Sequence, residues 1–225
     1  MSTPRRAPRN TLSRARVIAA AMELADADGV AALTIRALAT RLEVRPMSLY
    51  HYVATKEELL DALVEQVYAE MERPDPTAGD WRAELVRRGE SVRAVLLRHP
   101  WALWLLETRT APERPAALGH AEAVLATLLA GGCPPEVAVR AHVLLDSYVY
   151  GFVLQELTMA STDPHSDHSD ELAVSLEAGP YPSLRSAMSA LRADDDYVFA
   201  DTFGPGLEVV LDGVERWKAP MRQLG

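Results

Sequence analysis

The chain has 225 residues, of which 48% are hydrophobic, so it is long enough for one small domain and one larger domain. Glycine is sparse and alternating apolar–polar runs are missing, which predicts an all-α fold. The single cysteine, Cys133, excludes an intrachain disulfide and is typical of a cytoplasmic protein. No apolar run approaches the roughly 20 residues of a membrane-spanning helix, so we expect no membrane partner.

The net charge of −9 divides unevenly along the chain. Residues up to Lys56 carry nine Lys or Arg against four Asp or Glu, whereas the remainder carries 14 against 28. Phosphate binding depends on the local field rather than on the total charge. The sequence therefore predicts a basic part that can contact nucleic acid and an acidic body that stays off it.

Residues 1–10 contain Arg5, Arg6 and Arg9 among prolines and predict a disordered basic arm. Such an arm can also lie in a minor groove, and both interpretations stay open. The first helix should begin after Ser13, whose hydroxyl can cap it, and should end before Gly29.

Two short helices joined by a tight turn are predicted at Thr34–Lys56. Ile35, Leu38 and Leu42 share one apolar helix face, and Thr34 can cap that helix. The pattern breaks at residues 42–44, and a second helix starts near Pro46, where proline does no harm. A helix with aromatic and polar tips on its outer face fits a DNA major groove.

The next helix is predicted from Lys56 to Met71. Thr55 and Glu58 have capping-box spacing, and Lys56 in the first turn is a natural phosphate anchor. The helix is apolar over a broad face, so it should link the basic part of the chain mechanically to the acidic body. A turn-rich stretch at residues 73–79 marks the domain boundary.

The stretch Thr34–Lys56 resembles the DNA-binding domain of the tetracycline-repressor family of transcriptional regulators. The matching residues are Leu33-Thr34, Leu38-Ala39, Leu42, Val44, Leu49-Tyr50, Tyr52-Val53, Lys56 and Leu59-Leu60. Glu43 departs from the family, which usually has glycine there; a left-handed turn at Glu43 would cost on the order of 1 kcal/mol. The resemblance implies a helix-turn-helix domain at residues 11–56 and a linking helix at 57–72. The residues expected to contact DNA are Thr34, Arg36, Arg45, Pro46, Met47, Ser48, Tyr50, His51, Tyr52 and Lys56.

The expected contacts divide into two roles. Thr34, Tyr52 and Lys56 should hold phosphates, which fixes the register of the protein on DNA without reading sequence. Base edges should be read from the second helix, with Met47 or Pro46 on a thymine methyl.

Residues 80–225 are predicted to form a second helical domain. The longest helix, opened by Pro134-Pro135, has apolar stripes on two sides and must be covered on both. This part loosely resembles the regulatory domain of tetracycline-repressor-class proteins, which implies a homodimer. The interface is expected to include Tyr150, Leu154, Leu157, Leu207, Val210 and Val214. In the last helix, the Gly204-Pro205-Gly206 segment predicts a kink or a late start.

An aromatic-rich bundle with a few polar tips predicts a small-molecule site in this domain. The candidate lining residues are Trp101, Trp104, His120, Tyr148, Phe152, Gln155 and Met159; each of them alone fits an ordinary core position equally well. Tetracycline repressors bind a drug–magnesium chelate through a histidine for which this chain has leucine. The resemblance therefore favours a larger apolar or aromatic effector, with no cofactor and no metal.

Residues 161–182 predict a solvated loop. His165 and His168 lie there among aspartates, but nothing fixes a metal geometry.

No catalytic signature appears, so we expect no enzyme. The predicted function is a repressor that binds a palindromic operator as a homodimer and is released by an effector; the alternative is a DNA-binding regulator or activator without an effector.

Overall fold

The computed structural model describes residues 12–108, 115–160, 179–192 and 198–218. These residues form α-helices and one turn of 3-10 helix, Phe199–Thr202, with no strand among them, which confirms the all-α fold. The helices are α1 (Arg14–Ala32), α2 (Ile35–Arg41), α3 (Pro46–Leu49), α4 (Lys56–Glu70), α5 (Trp81–Arg98), α6 (Pro100–Thr108), α7 (Pro115–Ala130), α8 (Pro135–Ala160), α9 (Pro182–Arg192) and α10 (Phe203–Lys218). The predicted basic arm and the residues His165 and His168 lie outside the described residues.

Side-chain caps start the first helices, as predicted. Ser13, Thr34 and Thr55 each accept a hydrogen bond from the backbone N–H three residues further on, at 3.2, 3.1 and 3.0 Å. Glu58 also reaches back and accepts the N–H of Ala54 at 2.8 Å, a variant of the predicted capping box. These bonds satisfy N–H groups that a helix cannot pair internally, which fixes where α1, α2 and α4 begin.

The chain forms two compact units. The headpiece unit consists of the residues up to 72 together with 94–122, and the body unit consists of residues 73–93 together with 123 onward. In the headpiece unit, helices α1 to α4 enclose a core that includes the fully buried Val17, Leu38, Leu49 and Leu63.

In the body unit, α8 packs against α10. Leu207 and Leu211 of α10 are fully buried. The packing is close, because a Cβ added at Gly206 would lie 2.2 Å from the Tyr148 hydroxyl oxygen, and one at Gly89 would lie 2.8 Å from Leu207 Cδ2. These two glycines let α5, α8 and α10 approach each other.

Helix α8 corrects the expectation that no apolar segment approaches the length of a membrane-spanning helix. Its segment Pro135–Met159 has a mean hydropathy of 1.3, so by length and composition alone it could cross a membrane. A search for an uninterrupted apolar run misses this helix. Its few charged residues break the run but leave the mean hydropathy high. One such helix is weak evidence for a membrane span, since a core helix of a soluble protein passes the same test.

The chain after α8 also differs from the prediction. Helix α9 was not predicted, because its polar residues hide an apolar repeat at Leu184 and Leu191, both of which are exposed. Helix α10 begins at Phe203 with Pro205 in its first turn, so the predicted late start is confirmed rather than a kink.

Candidate nucleic-acid interface and effector site

Helices α2 and α3 are joined by the turn that the sequence predicted. Leu42 closes α2, and the N–H of Val44 donates to the carbonyl of Ala39 at 3.0 Å. Glu43 adopts a φ of +56°, the left-handed conformation that usually favours glycine. The strain predicted for Glu43 is therefore present in the folded chain.

Helix α3 turns two faces in opposite directions. Leu49 and Val53 are fully buried below it, while Pro46, Met47, Ser48, Tyr50 and His51 are exposed. Met47 is 76% exposed and Tyr50 is 47% exposed, which is unusual for large apolar side chains. This outer face can contact a partner without any rearrangement of the core.

Basic and hydroxyl side chains surround the outer face. Thr34, Arg36, Arg45 and Lys56 are exposed, and Lys56 is the first residue of α4, where free N–H groups point outward. Cations and a helix N-terminus are both suited to bind phosphate.

Tyr52 is placed differently from its prediction. Its side chain is half-buried, and its hydroxyl donates to the carbonyl of Leu12 at 2.9 Å. That bond ties the segment after α3 to the residues before α1. The Tyr52 hydroxyl can therefore donate to a phosphate only if this bond breaks.

A buried histidine joins three helices within the headpiece unit. His99 lies between α5 and α6, with Nδ1 2.7 Å from Asp26 Oδ1 of α1 and Nε2 3.2 Å from Glu70 Oε2 of α4. The Trp101 indole N–H also donates to Asp26 Oδ1, at 2.7 Å. Sequence analysis missed His99, because a His-Pro pair there indicated only the end of a helix.

The seven candidate effector residues are divided between the two units. Trp101, Trp104 and His120 belong to the headpiece unit, and the other four belong to the body unit. Trp104 is 73% exposed, and Gln155 and Met159 also lie on the surface. An open cleft of about 470 Å³ lies between α1 and α4, but none of the seven residues lines it.

The remaining candidates are held by their own neighbours. His120 is buried, and its Nε2 lies 2.7 Å from the carbonyl oxygen of Tyr68. Tyr148 and Phe152 pack against Phe203, with ring centroids 5.7 and 5.2 Å away. The Tyr148 hydroxyl donates to the Phe203 carbonyl at 2.7 Å, and burial raises the pKa of that hydroxyl.

A polar cluster inside the body unit was missed entirely. Arg88 of α5 is 3% exposed, and its Nη1 lies 2.7 Å from Oδ1 of Asp146 on α8. His142, one turn before Asp146, places Nδ1 3.7 Å from Asp146 Oδ2. The sequence does carry a signal, since Arg88 falls between Leu85 and Val92 on the apolar face of α5.

Burial decides the charge of this cluster. Desolvation lowers the pKa of His142, and the Arg88 charge acts in the same direction against the opposing effect of Asp146. His142 is therefore neutral near pH 7, while Arg88 and Asp146 form an ion pair.

The predicted dimer residues fall into two groups. Leu154 is 57% exposed, and Tyr150, Leu157 and Val210 are half-buried, so these four reach the surface. Leu207 and Val214 are fully buried within a single chain. The last two predictions are corrected: both residues belong to the α10 face that packs into the chain's own core, because the helix period places them with Leu211.

Two family models match the chain. Residues 17–63 match the model of bacterial regulatory proteins of the tetR family, and residues 73–217 match the model of the tetracyclin repressor-like C-terminal domain. The chain belongs to the TetR family of bacterial regulatory proteins. It is accordingly a DNA-binding transcriptional regulator and not an enzyme.

Individual TetR relatives align over nearly the whole chain. The HTH-type transcriptional repressor DrrR1 of Streptomyces coeruleorubidus is 34% identical over 94% of this chain and 80% of its own length. The tetracycline repressor protein class G of Vibrio anguillarum is 33% identical over 92% of this chain and 96% of its own. Among solved structures, the TetR family protein ActR of Streptomyces coelicolor in complex with actinorhodin has a TM-score of 0.76 at 25% identity, covering 93% of this chain and 99% of that one.

Proposed function

We propose that this TetR-family chain is a cytoplasmic repressor that binds a palindromic operator as a homodimer and is released by a small apolar or aromatic effector. Residues 11–56 would form the DNA-binding domain, 57–72 the linking helix and 80–225 the regulatory domain. The names of its relatives support this proposal, since they include transcriptional repressors and a protein complexed with actinorhodin.

The exposed outer face of α3 carries the DNA part of the proposal. Met47 and Tyr50 offer an apolar contact and an aromatic ring with a polar tip, which suit thymine methyl groups and base edges. Arg45 and Ser48 lie beside them and can donate hydrogen bonds to bases. Lys56 at the start of α4 would hold a phosphate.

Exposed apolar residues in the body unit support the homodimer. Val139, Val143 and Leu154 of α8 and Val209 and Trp217 of α10 are all at least 40% exposed. Exposed apolar side chains on two helices that pack together are suited to an interface. A second copy, with its own α8 and α10, would cover it.

Selection of DNA from a random pool with the purified chain tests class and symmetry together. We expect a palindrome whose half-sites are about 34–36 Å apart or a multiple of that distance. Recovery of a single unrepeated half-site would contradict the homodimer, and recovery of no preferred sequence would contradict the operator.

Two substitutions separate base reading from phosphate binding. Tyr50→Ala should cost about 1–3 kcal/mol on the selected operator and relax its sequence preference. Lys56→Ala should weaken binding to all DNA alike and reduce the salt slope by about one. Arg216→Ala, an exposed arginine of α10, serves as the matched control and should change neither. Identical effects of Tyr50→Ala and Lys56→Ala would contradict the division of roles.

Thermal melting against a library of aromatic compounds tests the effector. A compound that binds the folded chain raises its melting temperature by mass action. The same compound should release the operator, because only a ligand that prefers the released state can shift the equilibrium. If no compound does both, the chain is a regulator without an effector.

A further inference from the structure

The open cleft between α1 and α4 in the headpiece unit has an apolar wall. Ala15, Ile18 and Ala19 of α1 line this wall, and both alanines are exposed. Because alanine side chains are short, they leave space between α1 and Gln66 of α4. The cleft volume of about 470 Å³ lies within the range of small-molecule sites. The cleft is therefore large enough for the apolar body of a small ligand.

The other end of the cleft is polar and acidic. Its lining includes Glu23 and Asp26 of α1, Glu70 of α4 and His99. His99 is 5% exposed and forms the buried floor of this end. Arg14, the one Lys or Arg among the described residues that line the cleft, comes 12 positions before Asp26 on the same helix. This separation is about 18 Å along the axis, so the acidic end is remote from the arginine.

One hydrogen is missing between His99 and Glu70. His99 Nδ1 lies 2.7 Å from Asp26 Oδ1, and His99 Nε2 lies 3.2 Å from Glu70 Oε2. A neutral imidazole carries one N–H, and we assign it to Nδ1 because that distance is the shorter. Nε2 and Glu70 Oε2 are then two acceptors that face each other without a donor. Because buried polar atoms are normally satisfied, a donor is expected at this point.

One positive charge is missing at the same end of the cleft. Arg41 lies 2.8 Å from Glu23, and Arg98 lies 3.4 Å from Glu70, so two of the three carboxylates face a cation. The carboxylate of Asp26 receives its hydrogen bonds from an imidazole and an indole N–H, which are neutral donors. A group with one positive charge and several N–H donors would satisfy both the carboxylate and the unpaired ring nitrogen.

We propose that this cleft binds an organic monocation, a primary ammonium ion on an apolar chain or ring. An ammonium group has three donors, which suit His99 Nε2 and the carboxylates of Glu70 and Asp26. The apolar body of the ligand lies on Ala15 and Ala19. The apolar wall favours an organic ion, because it would contribute nothing to the binding of a hydrated metal ion. This site belongs to the headpiece unit and does not rest on the proposed effector response.

Three probes of the same shape test the charge preference on the full-length chain by isothermal titration. They are 4-phenylbutylamine, 4-phenylbutan-1-ol and 4-phenylbutanoate, which are a cation, a neutral molecule and an anion at neutral pH. We expect the amine to bind about tenfold more tightly than the alcohol, because its hydrogen bonds to the carboxylates are charge-assisted. The anion should bind more weakly than the alcohol, since it brings a like charge to the acidic end.

Glu70→Gln assigns this preference to the acidic end. Glutamine keeps the length of the side chain, removes its charge and can itself donate to His99 Nε2. In this variant the amine should lose its tenfold advantage, while the alcohol should bind as it does to the unchanged chain.

A second variant places the ligand in the cleft and does not disturb the buried polar groups. Ala19→Leu adds bulk at an exposed position of the apolar wall, and it should weaken both the amine and the alcohol at least about tenfold. Ala27→Leu makes the same change at an exposed position of α1 that does not line the cleft. This matched control should bind both probes as the unchanged chain does.

Equal binding of the amine and the alcohol would overturn the proposal, because a second proton on His99 would then supply the missing donor and charge. An advantage of the amine that survives Glu70→Gln would also overturn it, and so would absence of amine binding. Amine binding that survives Ala19→Leu would place the ligand elsewhere and would overturn this site. None of these results affects recovery of the operator or release by an effector, which test the proposed function.

Discussion

The helix starts of the helix-turn-helix and the interior of the body unit satisfy polar groups in different ways. Around the helix-turn-helix, the caps at Thr34 and Thr55 bond to N–H groups three residues away. In the body unit, Arg93 donates to Glu156, 63 residues away, and Tyr148 donates to the Phe203 carbonyl, 55 residues away. Local caps fix where the helices of the helix-turn-helix begin, so short patterns specify them, whereas the bonds named in the body unit depend on which helices meet.

Loss of Asp146 should give the largest decrease in the free energy of unfolding. It breaks the ion pair with Arg88, whose side chain is 4% exposed. Asp146→Ala leaves the Arg88 guanidinium buried without its counter-charge, and removal of one partner of a buried pair costs about 3–5 kcal/mol. Since Asp146 is partly exposed, we expect about 3 kcal/mol in urea unfolding, the lower end of that range. Glu208→Ala, which breaks a surface pair with Arg82, should cost less than about 1 kcal/mol. Equal losses in the two variants would remove the distinction between core and surface pairs.

The close approach of α8 and α10 gives the next largest effect. Gly206→Ala would place a Cβ 2.2 Å from the Tyr148 hydroxyl oxygen, and such overpacking costs about 1–3 kcal/mol. Gly204→Ala, two residues earlier in α10, has nothing within 4 Å and should be neutral or slightly stabilising. The free energies of unfolding of both variants check this. A harmless Gly206→Ala would mean that the helices can move apart freely.

In the headpiece unit, the strained turn should respond to a local change. Glu43→Gly relieves a positive φ and should raise the free energy of unfolding by up to about 1 kcal/mol. Glu57→Gly in the first turn of α4 removes a side chain where no strain exists, and it should lower stability by about 0.5–1 kcal/mol. Chemical denaturation compares the two, and a loss in both variants would show that Glu43 contributes more than its backbone conformation.

The smallest predicted effect is a pH dependence from His142. Its pKa is lower in the folded chain than in the unfolded chain, so the unfolded state binds more protons below about pH 6.5. Stability is therefore fully present above that pH and falls as the pH drops toward the folded pKa. His142→Gln should flatten this part of the profile by roughly 1 kcal/mol or less between pH 7.5 and 5.5. Superimposable profiles of the two proteins would contradict the assignment.

The sequence predicts the helix-turn-helix more fully than it predicts the body unit. Helix starts at Ser13, Thr34 and Thr55 were predictable because a cap and its partner lie within one turn of chain. The outer face of α3 was predictable because the inward residues Leu49 and Val53 define it.

The body unit was harder to predict, because burial there depends on which helices meet. Leu207 and Val214 carry the same apolar signal as true surface residues, and only the packing of α10 places them inside. Arg88 and Asp146 lie 58 positions apart, and nothing local pairs them. The buried polar cluster that contains them was therefore absent from the sequence-based candidates.

The bond between Tyr52 and Leu12 has a practical consequence for work with this protein. Leu12 is held beside Tyr52, so a group attached directly before Leu12 would start next to a residue proposed to contact the operator. An affinity tag or fluorescent fusion attached close before Leu12 would crowd that residue even if it left folding intact. Reporter fusions and immobilisation for binding assays should use the carboxyl end, and any amino-terminal tag should be cleaved before DNA affinity is measured.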